Sequence, residues 1–193
     1  MALNPATALD RKLKWTDFKT QQMTPPSPGQ VMKSAATMPV YGHGPLSCDP
    51  VPKSKPTTYK TGKTNVAISL DPSSWVADFV FTWPQTNQDA LLDHEQQHYM
   101  IGALSGRDMH DDINALNSKT YSSASDGIAD LQAVLAVYSA AETQKIQDKY
   151  DADTKHDPVG HATEQANWNK AIADAKTNKK KLLDALKAAK LFP

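Results

Sequence analysis

The sequence contains one pentapeptide whose residue types and spacing suit metal-dependent hydrolysis: His94-Glu95-Gln96-Gln97-His98, an HExxH motif. Residues four positions apart lie on the same face of an α-helix, so both imidazole rings can reach one metal ion. Glu95 flanks that position, where a carboxylate can hold a water molecule and take its proton. The motif predicts a zinc-dependent peptidase with Glu95 as general base. The alternative is two surface histidines on an amphipathic helix.

A third metal ligand does not follow from the motif itself. The short-spacer pattern HExxHxxGxxH fails, because the positions of its glycine and third histidine hold Ile101 and Leu104. A glutamate ligand on a later helix would have to be Glu142 or Glu164, since Glu95 is the remaining glutamate of the chain. A third histidine, His156, follows a predicted helix in a polar segment and is the other option.

The elements that must position these residues are predicted from the spacing of apolar residues. Three segments have a helical period: 86 to about 108 or beyond, 127–150 and 162–190. Residues 1–56 hold nine of the 13 prolines and are expected to form short strands and extended loops. Strands first and helices afterwards predict an α+β fold.

Residues 57–83 have the strongest β signals. The segments 57–59 and 66–70 flank Lys60-Thr61-Gly62-Lys63, which predicts a hairpin turn. The segment Trp75–Trp83 is the most β-prone of the chain. In zincins, which share the HExxH motif, a strand beside the active-site helix holds the extended substrate by β-augmentation, and by this resemblance we expect the segment Trp75–Trp83 to supply that strand.

Composition excludes several classes of function. Lys+Arg and Asp+Glu are both 21, so the net charge is zero and a general nucleic-acid binder is disfavoured. No apolar run reaches the 18 residues that a membrane span needs. A single cysteine, Cys48, excludes an internal disulfide framework. No signal peptide is visible, so we expect a cytoplasmic protein, a removed leader or another export route.

Four sequence blocks together resemble a known family. They are Leu13–Phe18 (LKWTDF), Leu70–Val76 (LDPSSWV), Leu91–His98 (LLDHEQQH), and Tyr150–His156 (YDADTKH) followed by Gln165–Asn169 (QANWN). In these blocks the chain resembles the bacterial predicted secreted zinc-dependent proteases, a domain of unknown function among the zincin-like metallopeptidases. We expect a single zincin-like domain over 1–193, with a family-like core at 12–172 and a C-terminal helix extension at 173–193.

The resemblance implies a zinc site made by His94, His98 and His156. Glu142 is the next candidate for the third ligand, followed by Asp153 or Asp151, because a carboxylate also suits zinc. One departure adjoins His156: the family has a glycine after this histidine, whereas this chain has Asp157 followed by Pro158. The resemblance also implies a bacterial protein, secreted or periplasmic, that acts on peptides or proteins.

The expected mechanism uses two further residues. Glu95 takes the proton of the attacking water and delivers it to the leaving amine. Tyr150 either donates a hydrogen bond to the oxyanion of the tetrahedral intermediate or is a core tyrosine at a helix end. An acid such as Asp151 is expected to orient a ligand imidazole. Two other functions fit the same motif: a cell-wall amidase or delivered toxin, and a non-catalytic zincin-like binding module.

Outside the motif, two features predict contacts. Arg107, one of two arginines, is expected to pair with a carboxylate and hold helices together. The C-terminal helix is rich in lysine, which indicates either an acidic protein partner or a solvated helix face. These lysines are Lys176, Lys179, Lys180, Lys181, Lys187 and Lys190.

Overall fold

The fold is organised around one long helix, α2, which spans Gln85–Ala115. The computed structural model of the chain describes residues 2–27 and 32–193. Pro84 precedes the first turn of α2, where its missing N–H costs no hydrogen bond. A 31-residue helix is about 46 Å long, and every other α-helix of the described residues contacts α2. The HExxH motif lies in its first half, as the sequence predicts.

Within residues 2–27 and 32–193, seven short strands, β1–β7, form three small sheets. They span Lys19–Gln21, Ala35–Ala36, Pro39–His43, Cys48–Pro50, Tyr59–Thr61, Val66–Leu70 and Trp75–Ala77. In one sheet β7 is central, parallel to β1 and antiparallel to β2. The other two sheets are the antiparallel pairs β3–β6 and β4–β5.

Two glycines let the β3–β6 pair approach α2 closely. A Cβ atom on Gly102 would lie 2.3 Å from Cβ of Pro39, on β3. A Cβ atom on Gly106 would lie 2.9 Å from the side chain of Ile68, on β6. Real Cβ atoms do not approach so closely, so β3 sits where it does because α2 carries glycine at these positions.

In the part of the chain that the structure describes, five further α-helices pack apolar residues against α2. They are α1 (Pro5–Leu9), α3 (Ala124–Val137), α4 (Ala140–Thr154), α5 (Ala162–Thr177) and α6 (Leu182–Ala188). The largest fully buried side chains include Trp168, Tyr99, Tyr150 and Ile101. The α+β class, with strands in the N-terminal half and helices in the C-terminal half, is confirmed. No helix among the described residues is both long and apolar enough to cross a membrane.

Two predicted helices are each divided in two. The segment 127–150 breaks at Tyr138 and Ser139, where the Ser139 side chain accepts a hydrogen bond from the N–H of Glu142 and caps α4. The segment 162–190 breaks after Thr177, and Lys179 has a left-handed φ of 52°. Both breaks depend on local capping and turn geometry, which apolar periodicity does not detect.

Two β predictions are wrong. The expected hairpin does not form, because β5 pairs with β4 and β6 pairs with β3. The expected strand Trp75–Trp83 is a strand over Trp75–Ala77 alone and continues as a 3-10 helix over Asp78–Thr82. The Asp78 side chain accepts hydrogen bonds from the N–H groups of Phe79 and Met23, which stabilises this turn. Both edges of β7 are already paired, with β1 and β2.

Candidate metal centre

Helix α2 brings the two histidines of the HExxH motif together. His94 and His98 are one turn apart on α2, and both side chains are buried. Their Nε2 atoms lie 3.2 Å from each other. The predicted geometry, two imidazoles aimed at one point from one helix face, is therefore present.

Helix α4 adds Asp151 to this pair. Oδ1 of Asp151 lies 2.8 Å from Nε2 of His98 and 3.3 Å from Nε2 of His94. The three ligand atoms lie within 4.8 Å of one another. His94, His98 and Asp151 thus form a buried group that could bind a metal ion.

His156 lies next to this group through Asp151. Its Nδ1 atom is 3.2 Å from Oδ1 of Asp151, and a third of its side chain is exposed. Lys155 and His156 both have left-handed φ values, 52° and 53°, where the chain turns sharply after α4. Two such residues in succession are uncommon outside glycine and are found where the fold imposes a special geometry. A direct bond from His156 to a metal stays a prediction.

The other candidate ligands lie outside the group. Glu142 is exposed and forms an ion pair with Lys145. Asp153 forms an ion pair with Lys149 and accepts a hydrogen bond from the indole N–H of Trp168 at 3.0 Å. Their carboxylates are engaged elsewhere, so Asp151 is the acid of the 150–156 segment that the fold brings to the histidines.

Asp151 and His98 shift each other's pKa. Burial raises the pKa of Asp151, but hydrogen bonds from His156, His94 and His98 outweigh this effect and hold the pKa far below its usual range. Burial lowers the pKa of His98, but the hydrogen bond to Asp151 and the charge of Glu95 more than compensate and raise it. The ionised Asp151 carboxylate supplies a negative charge for a cation, and a bound metal ion would displace the proton that Asp151 favours on His98.

Glu95 supplies a second negative group without a partner. The residue is 2% exposed, and its Oε2 atom has no hydrogen-bond partner among the described residues. A buried carboxylate oxygen without a donor is costly. Two imidazole nitrogens and a carboxylate oxygen are a ligand set that zinc favours, and a metal-bound water would give Oε2 the donor it lacks. The residues present therefore fit a zinc ion.

Tyr150 packs against the side chain of His94. Its ring stacks on the His94 ring, with centroids 4.6 Å apart and planes 20° apart. The side chain is fully buried, and its hydroxyl donates to Oε1 of Gln165 at 2.8 Å. This is the geometry of the core alternative, because the hydroxyl is already used inside the protein. A hydrogen bond from Tyr150 to an oxyanion stays a prediction.

Two glutamines that the sequence interpretation did not assign contact the histidines directly. Oε1 of Gln165 lies 3.1 Å from Nδ1 of His94, and Oε1 of Gln147 lies 2.5 Å from Nδ1 of His98. The sequence interpretation expected an acid in this role. One signal was available: Gln147 precedes Asp151 by four residues and so lies on the same face of α4.

A cleft of about 710 Å³ opens beside the group. One wall is strand β3 and the other is formed by α4 with the end of α3. His98 and Asp151 line this cleft, as does Lys33, whose Nζ lies 3.6 Å from Oδ2 of Asp151. The candidate metal-binding group is therefore open to a ligand from this side.

Comparisons of the chain with protein-family models, with curated proteins and with solved structures found no match. The zincin-like family thus stays a prediction that rests on the four sequence blocks.

Proposed function

We propose that the protein is a zinc-dependent peptidase whose zinc is held by His94, His98 and Asp151. One observation carries this proposal: two imidazole nitrogens and a carboxylate oxygen converge near Glu95, whose buried Oε2 has no hydrogen-bond partner among the described residues. Zinc in such a site polarises a carbonyl group and lowers the pKa of a coordinated water toward neutrality.

Glu95 is the general base of this proposal. It follows His94 directly on α2, and its carboxylate is shielded from solvent. The carboxylate accepts a proton from the attacking water as the new C–O bond forms. It then delivers that proton to the amide nitrogen as the C–N bond breaks. Glu95 thus both accepts and returns the proton, so the step needs no other acid or base.

The substrate site of this proposal is the edge of β3 that faces away from β6, which no strand of the described residues pairs with and which we call the free edge. In an antiparallel pair, successive residues point their backbone groups alternately toward and away from the partner strand. The N–H of Gly44 donates to the carbonyl of Asn65, and the N–H of Asp71 donates to the carbonyl of Met38. Even-numbered residues of β3 therefore face β6, and the odd-numbered ones face away from it.

The groups on that free edge can bind a peptide backbone. The N–H and C=O of Tyr41 and the N–H of His43 point away from β6, and the cleft is lined by this strand. An extended peptide that adds to this edge would pass His98 and Asp151, which line the same cleft. Strand β3 thus takes the role that the sequence interpretation gave to Trp75–Trp83.

The test compares Glu95→Gln with wild type. We expect the variant to keep its zinc, because Gln has the same shape, and to lose at least about 100-fold in cleavage of an unfolded protein such as casein. Gln97→Ala, on the same helix, is the matched control and should cleave like wild type. Undiminished cleavage by Glu95→Gln would exclude the mechanism. Zinc binding by a wild type that cleaves no polypeptide would replace the peptidase with a binding module or an amidase.

A further inference from the structure

The two ligand histidines share one feature that the peptidase mechanism does not require by itself: each Nδ1 atom faces an amide oxygen. Gln165 provides this oxygen for His94 and Gln147 provides it for His98. An amide oxygen accepts hydrogen bonds and cannot donate them. If each amide presents its oxygen, Nδ1 of each ring must carry a proton, which leaves Nε2 as the metal-binding atom.

The orientation of Gln165 is fixed by a hydrogen-bond chain that starts at a carboxylate. Oδ2 of Asp93 accepts from Nδ2 of Asn169 at 2.7 Å, so the Asn169 oxygen must point the other way. That oxygen accepts from Nε2 of Gln165 at 2.7 Å. The Gln165 oxygen is thereby turned to His94. Because a carboxylate accepts only, no member of this chain can flip without losing a bond.

The orientation of the Gln147 amide is fixed by the backbone of His98. Its Nε2 atom donates to the backbone carbonyl of His98 at 3.0 Å. A carbonyl oxygen cannot donate, so the nitrogen of the Gln147 amide lies on that side and the oxygen faces Nδ1. Both contacts are buried, so water does not compete for them.

We propose that Gln147 and Gln165 are positioning residues that hold a proton on Nδ1 of His98 and His94 and reserve Nε2 for the metal. Asp93 and Asn169 act on His94 indirectly, because they fix the orientation of the Gln165 amide. The consequence for metal affinity rests on the proposed zinc site. The position of the proton does not, because it follows from the hydrogen bonds of the chain itself. Loss of such an outer partner typically weakens metal binding by about 10- to 100-fold.

The experiment uses Gln147→Met and Gln165→Met, which keep side-chain length and remove the acceptor. Gln96→Met is the matched control. Gln96 is a buried glutamine on α2, but its amide accepts from the N–H of Leu13 and donates to the carbonyl of Arg11 instead of contacting a histidine. Zinc affinity is measured by competition with a chelating dye. The protonated ring nitrogen is identified by long-range ¹H–¹⁵N NMR of the imidazoles at neutral pH.

We expect Gln147→Met and Gln165→Met to bind zinc about 10- to 100-fold more weakly than Gln96→Met. In wild type, Nδ1 of both rings should be protonated with zinc present and with zinc absent. Asn169→Leu, at a half-buried position, is a second variant in case Gln165→Met fails to fold. It should shift the proton of His94 away from Nδ1 in part of the molecules and weaken zinc binding to a smaller extent.

Two results would overturn the inference. One is an unprotonated Nδ1 on either ring in wild type. The other is a zinc affinity of both variants equal to that of Gln96→Met. A wild type that binds no zinc would instead refute the proposed function. The NMR measurement on the metal-free protein would still show which ring nitrogens carry a proton.

Discussion

Nε2 of His98 lies 2.8 Å from Oδ1 of Asp151, although the two residues are 53 positions apart and belong to different helices. Helix α2 supplies the histidine and α4 supplies the carboxylate. The candidate metal-binding group therefore exists only when these two helices are packed together. A bound metal ion would bridge them and make their packing part of the binding free energy.

Removal of the metal should lower thermal stability. A ligand that binds only the folded state adds about 2.7 kcal/mol at 100 times its dissociation constant. We expect zinc-loaded wild type to unfold at a higher temperature than the same protein treated with a chelator and dialysed, and added zinc should restore the difference. His98→Ala should show no response to either treatment. An identical unfolding temperature for loaded and stripped wild type would contradict a zinc bridge between α2 and α4.

Gly102→Ala should disturb the cleft by moving β3. The added Cβ would lie 2.3 Å from Cβ of Pro39, so β3 must shift away from α2. We expect a loss of about 1–3 kcal/mol in the free energy of unfolding and a higher KM for a peptide substrate. Gly42→Ala is the control, because a Cβ there meets nothing within 4 Å. Equal stability of the two variants in urea titrations would refute the close packing of β3 on α2.

The free edge of β3 can be tested by removing one backbone donor. His43→Pro deletes the N–H that points away from β6, whereas His43→Ala changes the side chain and keeps the N–H. Proline is tolerated on the free side of an edge strand. One lost hydrogen bond corresponds to about a 2- to 10-fold lower kcat/KM for an extended peptide. Equal kcat/KM for the two variants would show that the substrate does not bind this edge.

Arg107 should anchor the C-terminal helices to α2. Its guanidinium donates to the carboxylate of Asp108 and to the carbonyls of Ala175 and Lys180. The predicted carboxylate partner is thus confirmed, and the two carbonyls lie at α5 and just before α6. Arg107→Lys loses the planar fork and should lower the free energy of unfolding by about 1–3 kcal/mol. Lys187→Arg, at an exposed position of α6, should leave the free energy of unfolding unchanged. An Arg107→Lys variant as stable as wild type would disprove the anchor.

The sequence predicts the part of the candidate site that lies on a single helix, α2. His94 and His98 meet because they are four residues apart on α2, and this local rule needs no knowledge of the tertiary fold. Asp151 was a weaker candidate than His156, because the choice depends on which face of α4 turns toward α2. Residues 151 and 153 are about 200° apart around a helix, so packing, rather than composition, selects between them.

The β half was harder to predict for a related reason. Strand β6 pairs with β3, so His43 lies opposite Val66, and the nearer strand β5 is paired elsewhere. Two β segments that flank the turn residues 60–63 favour a hairpin between β5 and β6. In the structure β6 instead pairs with β3, which is more distant along the chain. Strand β3 reaches α2 through Gly102, and such a contact leaves no periodic signal in the sequence.

The zinc content of three proteins tests the central claim most directly. Wild type, Asp151→Ala and His156→Ala are loaded with zinc, dialysed and analysed for metal. We expect about one zinc per chain in wild type and in His156→Ala, and close to none in Asp151→Ala, because a site of this class needs three protein ligands. Full zinc in Asp151→Ala, or none in wild type, would contradict a metal centre formed by His94, His98 and Asp151.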